Sequence, residues 1–341
     1  MPTTDTGPRD PSAAHTDVDP RGPAPPVDID PRESPASLAA LWTAVLVVLV
    51  ALAIAAVLIV RNIVGDTDLP FVSGEVPRDS PLYLRSTPRP AGVLHLAGSG
   101  SNIPLTRALA DSFHLKHPDT HVVVFDSIGD AGGVQAAYDD VIDLGLVSRE
   151  LTAPESALNV FVIPYARVPV VAAVHPAVPD ESVSLPELVD IYAGARTTWS
   201  DGAPIVVLQR PRGDPSHLAV AAASPEFAAA TDAAYRASRW RIVDSDQAMQ
   251  EALSITPGAV GLFDLGVIVL QRLPIRPLRI DDIAASEASV QSGRYPFAKE
   301  LAFVTVEEPA GLAAELLRHV HGDDGRRLMR SSGYTPLPED Q

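Results

Sequence analysis

The chain contains no cysteine among its 341 residues. This absence excludes disulfide bonds, thiolate metal ligands, a cysteine nucleophile and an anchor made by a lipid-modified cysteine. Lysine is scarce as well, because only Lys116 and Lys299 occur, and the arginines form no basic run. The net charge is -17. An acidic chain without a basic patch is poorly suited to nucleic acid, so we expect no nucleic-acid partner.

Charge is missing altogether from residues 38–60, which are almost entirely apolar. About 20 apolar residues cross a bilayer as a helix, so this run predicts a single transmembrane helix. Residues 1–37 are acidic and rich in proline, with almost no large apolar side chains, which predicts a disordered tail. The prolines of residues 61–91 predict a semi-rigid linker to the rest of the chain.

The remaining residues alternate short apolar runs with segments of helical periodicity. Residues 92–98 have the pattern of a strand, residues 104–118 that of a helix, and residues 120–126 that of a buried strand. A second glycine-rich loop and another helix follow at once. This alternation predicts an α/β domain with a largely parallel sheet.

A loop of glycine and serine joins the first predicted strand to the first predicted helix. It covers residues 98–104, Gly-Ser-Gly-Ser-Asn-Ile-Pro. Backbone N–H groups at the start of a helix have no partner within the helix, which suits an anion. The loop is therefore a candidate anion site, and a tight turn without a ligand is the alternative. The sequence has no Walker loop, no Gly-x-Ser-x-Gly elbow and no nucleophile–base pair, so we expect neither an enzyme nor a cofactor.

Several segments, in a fixed order, resemble the phosphate-binding proteins of bacterial ABC transporters, which belong to the type II periplasmic solute-binding proteins. No single segment is decisive, but their order is. The nine segments are GSGSNIP, SIGDAGG, DLGLVSREL, IPYARVPVVAAVHP, LVDIYAGARTTWSDG, VVLQRPRGDPSH, TPGAVGLFD, YPFAKELAFVT and RRLMRSSGYTPLP.

The resemblance implies a two-lobed periplasmic-binding-protein fold over residues 92–338. The first lobe would combine about 92–168 with about 266–338, and the second would cover about 169–265. A small oxyanion, most simply phosphate, would bind in the cleft between the lobes. We therefore expect a membrane-anchored, single-pass protein with an extracytoplasmic C-terminal domain, whose partner is an ABC permease or a membrane signalling protein.

The resemblance also assigns residues to the ligand site. Three lie on the first glycine loop, and the others follow at the later segments that match the family. Arg210 corresponds to the family's arginine, and Ser148 falls on its acidic acceptor or its serine variant. The eight predicted residues are Ser101, Asn102, Ile103, Asp130, Ser148, Arg210, Asp214 and Ser216.

Two of these residues depart from the family pattern, because Asp130 and Asp214 bring carboxylates where hydroxyl donors are expected. Two unit charges 4 Å apart repel by about 4 kcal/mol at an effective dielectric of 20, which corresponds to roughly a thousandfold loss of phosphate affinity. Pro215 also lacks an N–H. Arg149 and Arg212 are candidates to offset the added negative charge.

Each departure has a local alternative. Asp130 precedes a predicted helix and would serve as its N-cap. Residues 213–216, Gly-Asp-Pro-Ser, would form an ordinary turn that opens the next helix. For the whole chain, the first alternative is a sensory or scaffold domain whose cleft no longer holds phosphate. A second is a phosphate-ester hydrolase, although no metal-ligating cluster is visible.

Overall fold

The computed structural model describes residues 92–338. The predicted tail (1–37), transmembrane helix (38–60) and linker (61–91) lie outside the described residues. Within residues 92–338, none of the helices combines the length and the apolar character that crossing a bilayer requires.

Strands in the described part of the chain vary from two to fourteen residues. Their bounds are β1 Val93–Gly98, β2 His121–Val124, β3 Leu144–Val147, β4 Phe161–Val174, β5 Ser182–Val183, β6 Val206–Gln209, β7 Arg241–Ile242, β8 Ala259–Asp264, β9 Arg276–Pro277, β10 Arg279–Ile280, β11 Ala298–Thr305 and β12 Thr335–Pro336.

Helices fall between most of these strands. Their bounds are α1 Ile103–His114, α2 Gly129–Tyr138, α3 Ala153–Ser156, α4 Leu185–Ala193, α5 Pro215–Ala223, α6 Pro225–Arg236, α7 Asp246–Ile255, α8 Leu265–Gln271, α9 Glu287–Gln291, α10 Gly311–His321 and α11 Asp323–Ser331. The alternation confirms the predicted α/β class.

One long sheet runs through the described residues, in the strand order β2-β1-β3-β11-β4-β8-β6-β7. The pairs β1–β2, β1–β3, β6–β7 and β6–β8 are parallel, as expected for strands joined through helices. The strands β4 and β11 run against their neighbours. β4 pairs with β11 along residues 161–169 and with β8 along residues 170–174, so one strand passes from one half of the sheet to the other.

Two large hydrophobic cores divide the fold into two lobes. The first core joins buried residues from 94–168 to buried residues from 301–334. The second core takes its buried residues from 170–297. The first and second lobes are named here after these cores. The sequence-based division placed 266–297 in the first lobe, whereas these residues pack in the second core, because β9 pairs with the distal half of β4.

The starts of the second-lobe helices follow from local side-chain chemistry. Ser184 caps α4 by accepting a hydrogen bond from the N–H of Glu187, and Ser245 caps α7 through the N–H of Ala248.

The prediction that Asp130 is the N-cap of the following helix, α2, is wrong. Ile128 occupies the N-cap of α2, and Asp130 is the second helical residue.

Candidate functional site

A cleft of about 600 Å³ opens where the two lobes meet. The end of β8 and the starts of α1 and α7 converge here, which is the usual position of a ligand site in an α/β sheet. Its lining includes Ser101 and Ile103 from the first lobe, and Asp246 and Asp264 from the second. The first glycine loop therefore forms one wall of an inter-lobe cleft, as the resemblance implied.

The close approach of two strand ends explains why the loop begins with glycine. Gly98 has φ +146°, and a Cβ there would lie 2.2 Å from the carbonyl oxygen of Leu146. Immediately afterwards, the N–H of Ser99 donates to that same carbonyl at 2.8 Å. The loop is thus anchored on β3, and this anchor holds Ser101 and the start of α1 at the cleft.

The side chain of Asn102 faces the interior of the first lobe. Its amide donates to the carbonyl of Val147 at 3.0 Å and to the hydroxyl of Tyr165 at 3.1 Å, and the residue is fully buried. The amide was predicted to donate to a ligand, but it ties the loop to β3 and β4 instead. Ile103 begins α1 and lines the cleft with its apolar side chain.

Asp130 and Ser148 bind each other. The carboxylate of Asp130 accepts hydrogen bonds from the backbone N–H of Ser148 at 2.6 Å and from its hydroxyl at 3.2 Å. The hydroxyl of Ser148 also lies 2.9 Å from that of Ser99. Neither Asp130 nor Ser148 lines the cleft. The carboxylate therefore stabilises the end of β3 through Ser148.

Arg210 is buried among carboxylates. Its Nε donates to Asp214 at 2.8 Å, its Nη1 donates to the carbonyl of Val243 at 3.1 Å, and its Nη2 lies 3.5 Å from Asp246. Burial alone would lower the pKa of Arg210, but the charges of Asp246 and Asp214 raise it overall. The guanidinium is therefore charged. Its Nη2 makes no hydrogen bond to any residue of 92–338.

Asp214 closes the N-terminus of α5. Its carboxylate accepts hydrogen bonds from the N–H groups of Ser216 at 3.0 Å and His217 at 3.2 Å. Burial raises the pKa of Asp214, but the contact with the His217 side chain and the charge of Arg210 outweigh burial and hold the pKa well below its usual range. The turn that opens a helix is confirmed here. The chain's own carboxylate thus takes the N–H groups that an anion would use.

Lys299 lies behind the cleft and does not line it, but it contacts Ser101 and Asp264, which do; the sequence did not point to this lysine. It lies on β11 and is 4% exposed. Its ammonium donates to the hydroxyl of Ser101 at 2.7 Å, to the hydroxyl of Ser216 at 3.0 Å and to Asp264 at 3.0 Å. A lone lysine within the apolar run of β11 was the only available signal.

Two further carboxylates belong to the site. Asp264 ends β8, is 2% exposed and lies 2.8 Å from the Lys299 ammonium. Asp246 is the first residue of α7, and its carboxylate fills the space beside Gly100, where a Cβ would come within 2.2 Å of it. With Asp214, three carboxylates meet the two cations Lys299 and Arg210. The cluster holds one negative charge in excess before any ligand arrives.

The two arginines proposed to offset this charge lie elsewhere. Arg149 binds both carboxylate oxygens of Glu155 at 2.8 Å, and Arg212 binds Asp232 at the surface at 2.6 Å. Neither lines the cleft. Glu155 also accepts a hydrogen bond from the N–H of Thr152, which makes the capping box of α3.

Glu155→Gln is expected to reduce the free energy of unfolding by about 1–2 kcal/mol at neutral pH, because it removes a charged capping contact. The hydrogen bond from Arg149 lowers the pKa of Glu155 from 4.5 to about 2. A lowered carboxyl pKa stabilises the fold above the unfolded value and loses this effect as pH falls through the folded value. Urea denaturation should show the variant and wild type converging as pH drops from about 4.5 to about 2.

The neighbouring exposed Glu150 supplies the control for this measurement, because its side chain makes no hydrogen bond within the described residues. Glu150→Gln should leave the pH profile of stability unchanged. A Glu155→Gln profile that runs parallel to the wild type over the whole acid range would contradict the role given to the Arg149 pair.

Three comparisons place this geometry among known proteins. The family model of the PBP superfamily domain matches residues 85–323. The phosphate-binding protein PstS of Bacillus subtilis is 22% identical over 276 residues, which covers 78% of this chain and 88% of that protein. PstS 2 of Streptococcus pneumoniae, also a phosphate-binding protein, is 31% identical over 109 residues and covers 32% of this chain and 37% of that protein.

Solved structures agree on the fold. A Clostridium perfringens substrate-binding protein with bound phosphate superposes with a TM-score of 0.61 at 20% identity, covering 72% of this chain and 99% of that chain. An ABC-type phosphate transport receptor from Vibrio cholerae gives 0.52 at 18% identity, covering 72% and 100%. The chain belongs to the PBP superfamily, and the resemblance to phosphate-binding proteins found in its sequence is confirmed.

Proposed function

We propose that this chain is an extracytoplasmic solute-binding protein that binds phosphate for an ABC transporter. The family, the names of its relatives and the inter-lobe cleft support this reading. The observation that carries it is the meeting of Ser101 from the first lobe and Ser216 from the second on one buried ammonium. Hydroxyls and cations that converge from two lobes suit a small oxyanion enclosed between them.

The ligand donors would come from both lobes. Ser101 and Ser216 offer hydroxyls, and Arg210 offers the Nη2 donors that remain unfilled within the described residues. The N–H of Ile103 lies at the start of α1, where a helix leaves its first amides without intrahelical partners. Lobe closure around the anion is the expected motion. No catalytic activity, metal or cofactor is part of the proposal.

The topology in the membrane belongs to the same proposal. Residues 38–60 would span the bilayer once, and residues 61–91 would carry the binding domain on its outer side. The anchor would do the tethering that a lipid-modified cysteine does elsewhere, since the chain has no cysteine. An ABC permease or a membrane signalling protein would receive the closed domain. Degradation of residues 92–338 by protease added to intact cells would test this orientation.

Calorimetric titration of the full chain with phosphate tests the binding itself. Wild type should bind, and Arg210→Lys should weaken binding by about tenfold or more, because an ammonium keeps the charge for the neighbouring carboxylates but lacks the planar fork. Arg212→Lys is the matched control, since Arg212 pairs with Asp232 at the surface. No heat at millimolar phosphate between about pH 5 and pH 8, where phosphate takes its second charge, would overturn the proposal.

A second function is favoured by one observation. The two buried cations beside the cleft are already paired, Arg210 with Asp214 and Lys299 with Asp264. Cations that already bind the chain's own carboxylates offer fewer donors to an anion, which favours a sensory or scaffold domain that no longer takes phosphate. Absence of phosphate binding, together with unchanged stability in excess phosphate, would select this second function.

A further inference from the structure

The ammonium of Lys299 touches both lobes at once. Ser101 belongs to the loop that begins the first lobe's α1, whereas Ser216 and Asp264 belong to the second lobe. We propose that Lys299 is a positioning residue of the anion site, which bridges the lobes and leaves the hydroxyl protons of Ser101 and Ser216 for the ligand. This inference rests on the proposed phosphate-binding function and identifies the residue that orients the two serine hydroxyls.

The direction of the hydrogen bonds follows from the chemistry of the groups. An ammonium has three protons and no lone pair, so each contact of Lys299 is a donation. The oxygens of Ser101 and Ser216 therefore accept, and each hydroxyl keeps its single proton for another acceptor. Within residues 92–338, neither hydroxyl donates to a protein group. A serine held in this way can donate to an anion, and it accepts from a competing donor less readily.

The charge of the Lys299–Asp264 pair shows that Lys299 acts by orienting the serines and not by attracting the anion. Lys299 is buried beside Asp264, so the two form a neutral pair. Burial lowers the pKa of Lys299, but the charges of Asp264, Asp214 and Asp246 raise it overall. The ammonium thus stays protonated and keeps all three donors. Because the pair is neutral as a whole, its removal leaves the net charge of the cleft unchanged.

Lobe movement is coupled to this arrangement. Opening the cleft would move Ser101 away from Ser216 and Asp264. The ammonium of Lys299 could then keep its contacts with only one of the two lobes. The two serines are therefore oriented together only in the closed state. Binding of an anion to the pair of hydroxyls would favour closure by its differential affinity for the two states.

The decisive variant removes the pair and keeps the charge. Lys299→Met with Asp264→Leu replaces a buried ion pair by apolar side chains, which proteins tolerate well. Calorimetric titration of the full-length variant with phosphate should show an affinity about tenfold or more below wild type. The matched control is Lys116→Met with Asp324→Leu, which removes the surface pair of the only other lysine. This control should bind phosphate as wild type does.

Serine substitutions distinguish orientation from other effects. In wild type, Ser101→Ala and Ser216→Ala should each cost about tenfold in phosphate affinity. Without the Lys299 pair, the same substitutions should cost little, because the hydroxyl protons are no longer directed. Equal costs in both backgrounds, or unchanged affinity in the double variant, would overturn the positioning role while leaving the proposed function intact. If the wild-type chain does not bind phosphate, the proposed function is wrong, and so is the positioning role of Lys299 that rests on it.

The bridge itself is measured without any ligand. The chain has no cysteine, so Leu115→Cys and Ile255→Cys, at two exposed positions on different lobes, accept one pair of spin labels. The distance distribution should broaden towards longer distances when the Lys299 pair is removed. An unchanged distribution would overturn the bridge, whatever the phosphate titration shows.

Discussion

Asp264→Asn is expected to lower the free energy of unfolding by about 3–5 kcal/mol, the usual cost of leaving one partner of a buried ion pair alone. Both residues are almost fully buried, with side-chain exposures of 2% for Lys299 and 3% for Asp264. The substitution keeps the shape of the side chain, so a packing defect contributes little. Urea denaturation of the variant and the wild type measures the difference.

The pH dependence of this variant distinguishes charge from packing. In wild type, the pKa of Lys299 is raised above 10.5, so its contribution is complete below 10.5 and is lost only as pH rises through the folded pKa. Asp264 supplies the largest of the three charges that oppose burial, so without it we expect burial to lower the folded pKa of Lys299 below the unfolded value. The unfolded state then binds more protons, so the stability of the variant should rise from neutral pH towards about 10.

A second substitution completes the test. The double variant Lys299→Met with Asp264→Leu, which replaces both charged residues by apolar ones, should recover most of the stability lost in Asp264→Asn, because no unpaired charge remains. The rise in stability with pH should also disappear. An Asp264→Asn variant whose stability deficit is the same at neutral and alkaline pH would contradict the assignment of the cost to Lys299.

The features of the fold that depend on near neighbours in the chain were predictable. The strand at 92–98, the glycine loop and the helix that follows correspond to β1 and α1. The turn at 213–216 that opens a helix was also predictable, because an Asp followed by Pro and Ser is a local N-cap pattern. Such features depend on a few adjacent residues, so a single sequence contains them.

The centre of the site was not predictable in the same way. Lys299 and Ser101 are separated by 198 positions along the chain, and their contact exists only because β11 returns between β3 and β4. For Asp130 the local pattern was misleading. Its position before a helix suggested an N-cap, but its carboxylate binds Ser148, eighteen positions further along the chain. A family pattern locates the cleft, but the pairing of charges inside it depends on the packed lobes.

We expect Asp246, rather than Asp130 or Asp214, to be the carboxylate that most directly opposes a bound anion. Asp130 is held by Ser148, and Asp214 caps α5 beside Arg210. Asp246 instead lines the cleft, lies against Gly100 and stands 3.5 Å from the Nη2 of Arg210. It therefore occupies the position from which a bound anion would reach the unfilled donors of that arginine.

Asp246→Asn is expected to strengthen phosphate binding by about tenfold to a hundredfold, since it removes a charge about 4 Å from the ligand in a partly exposed site. Asp126→Asn is the matched control, because Asp126 lines the same cleft but its side chain is fully exposed and its charge is screened. Burial raises the pKa of Asp246, so protonation should narrow the difference between variant and wild type at acid pH. Weaker binding in Asp246→Asn would instead show that this carboxylate accepts the proton of a protonated phosphate, and would contradict the repulsion.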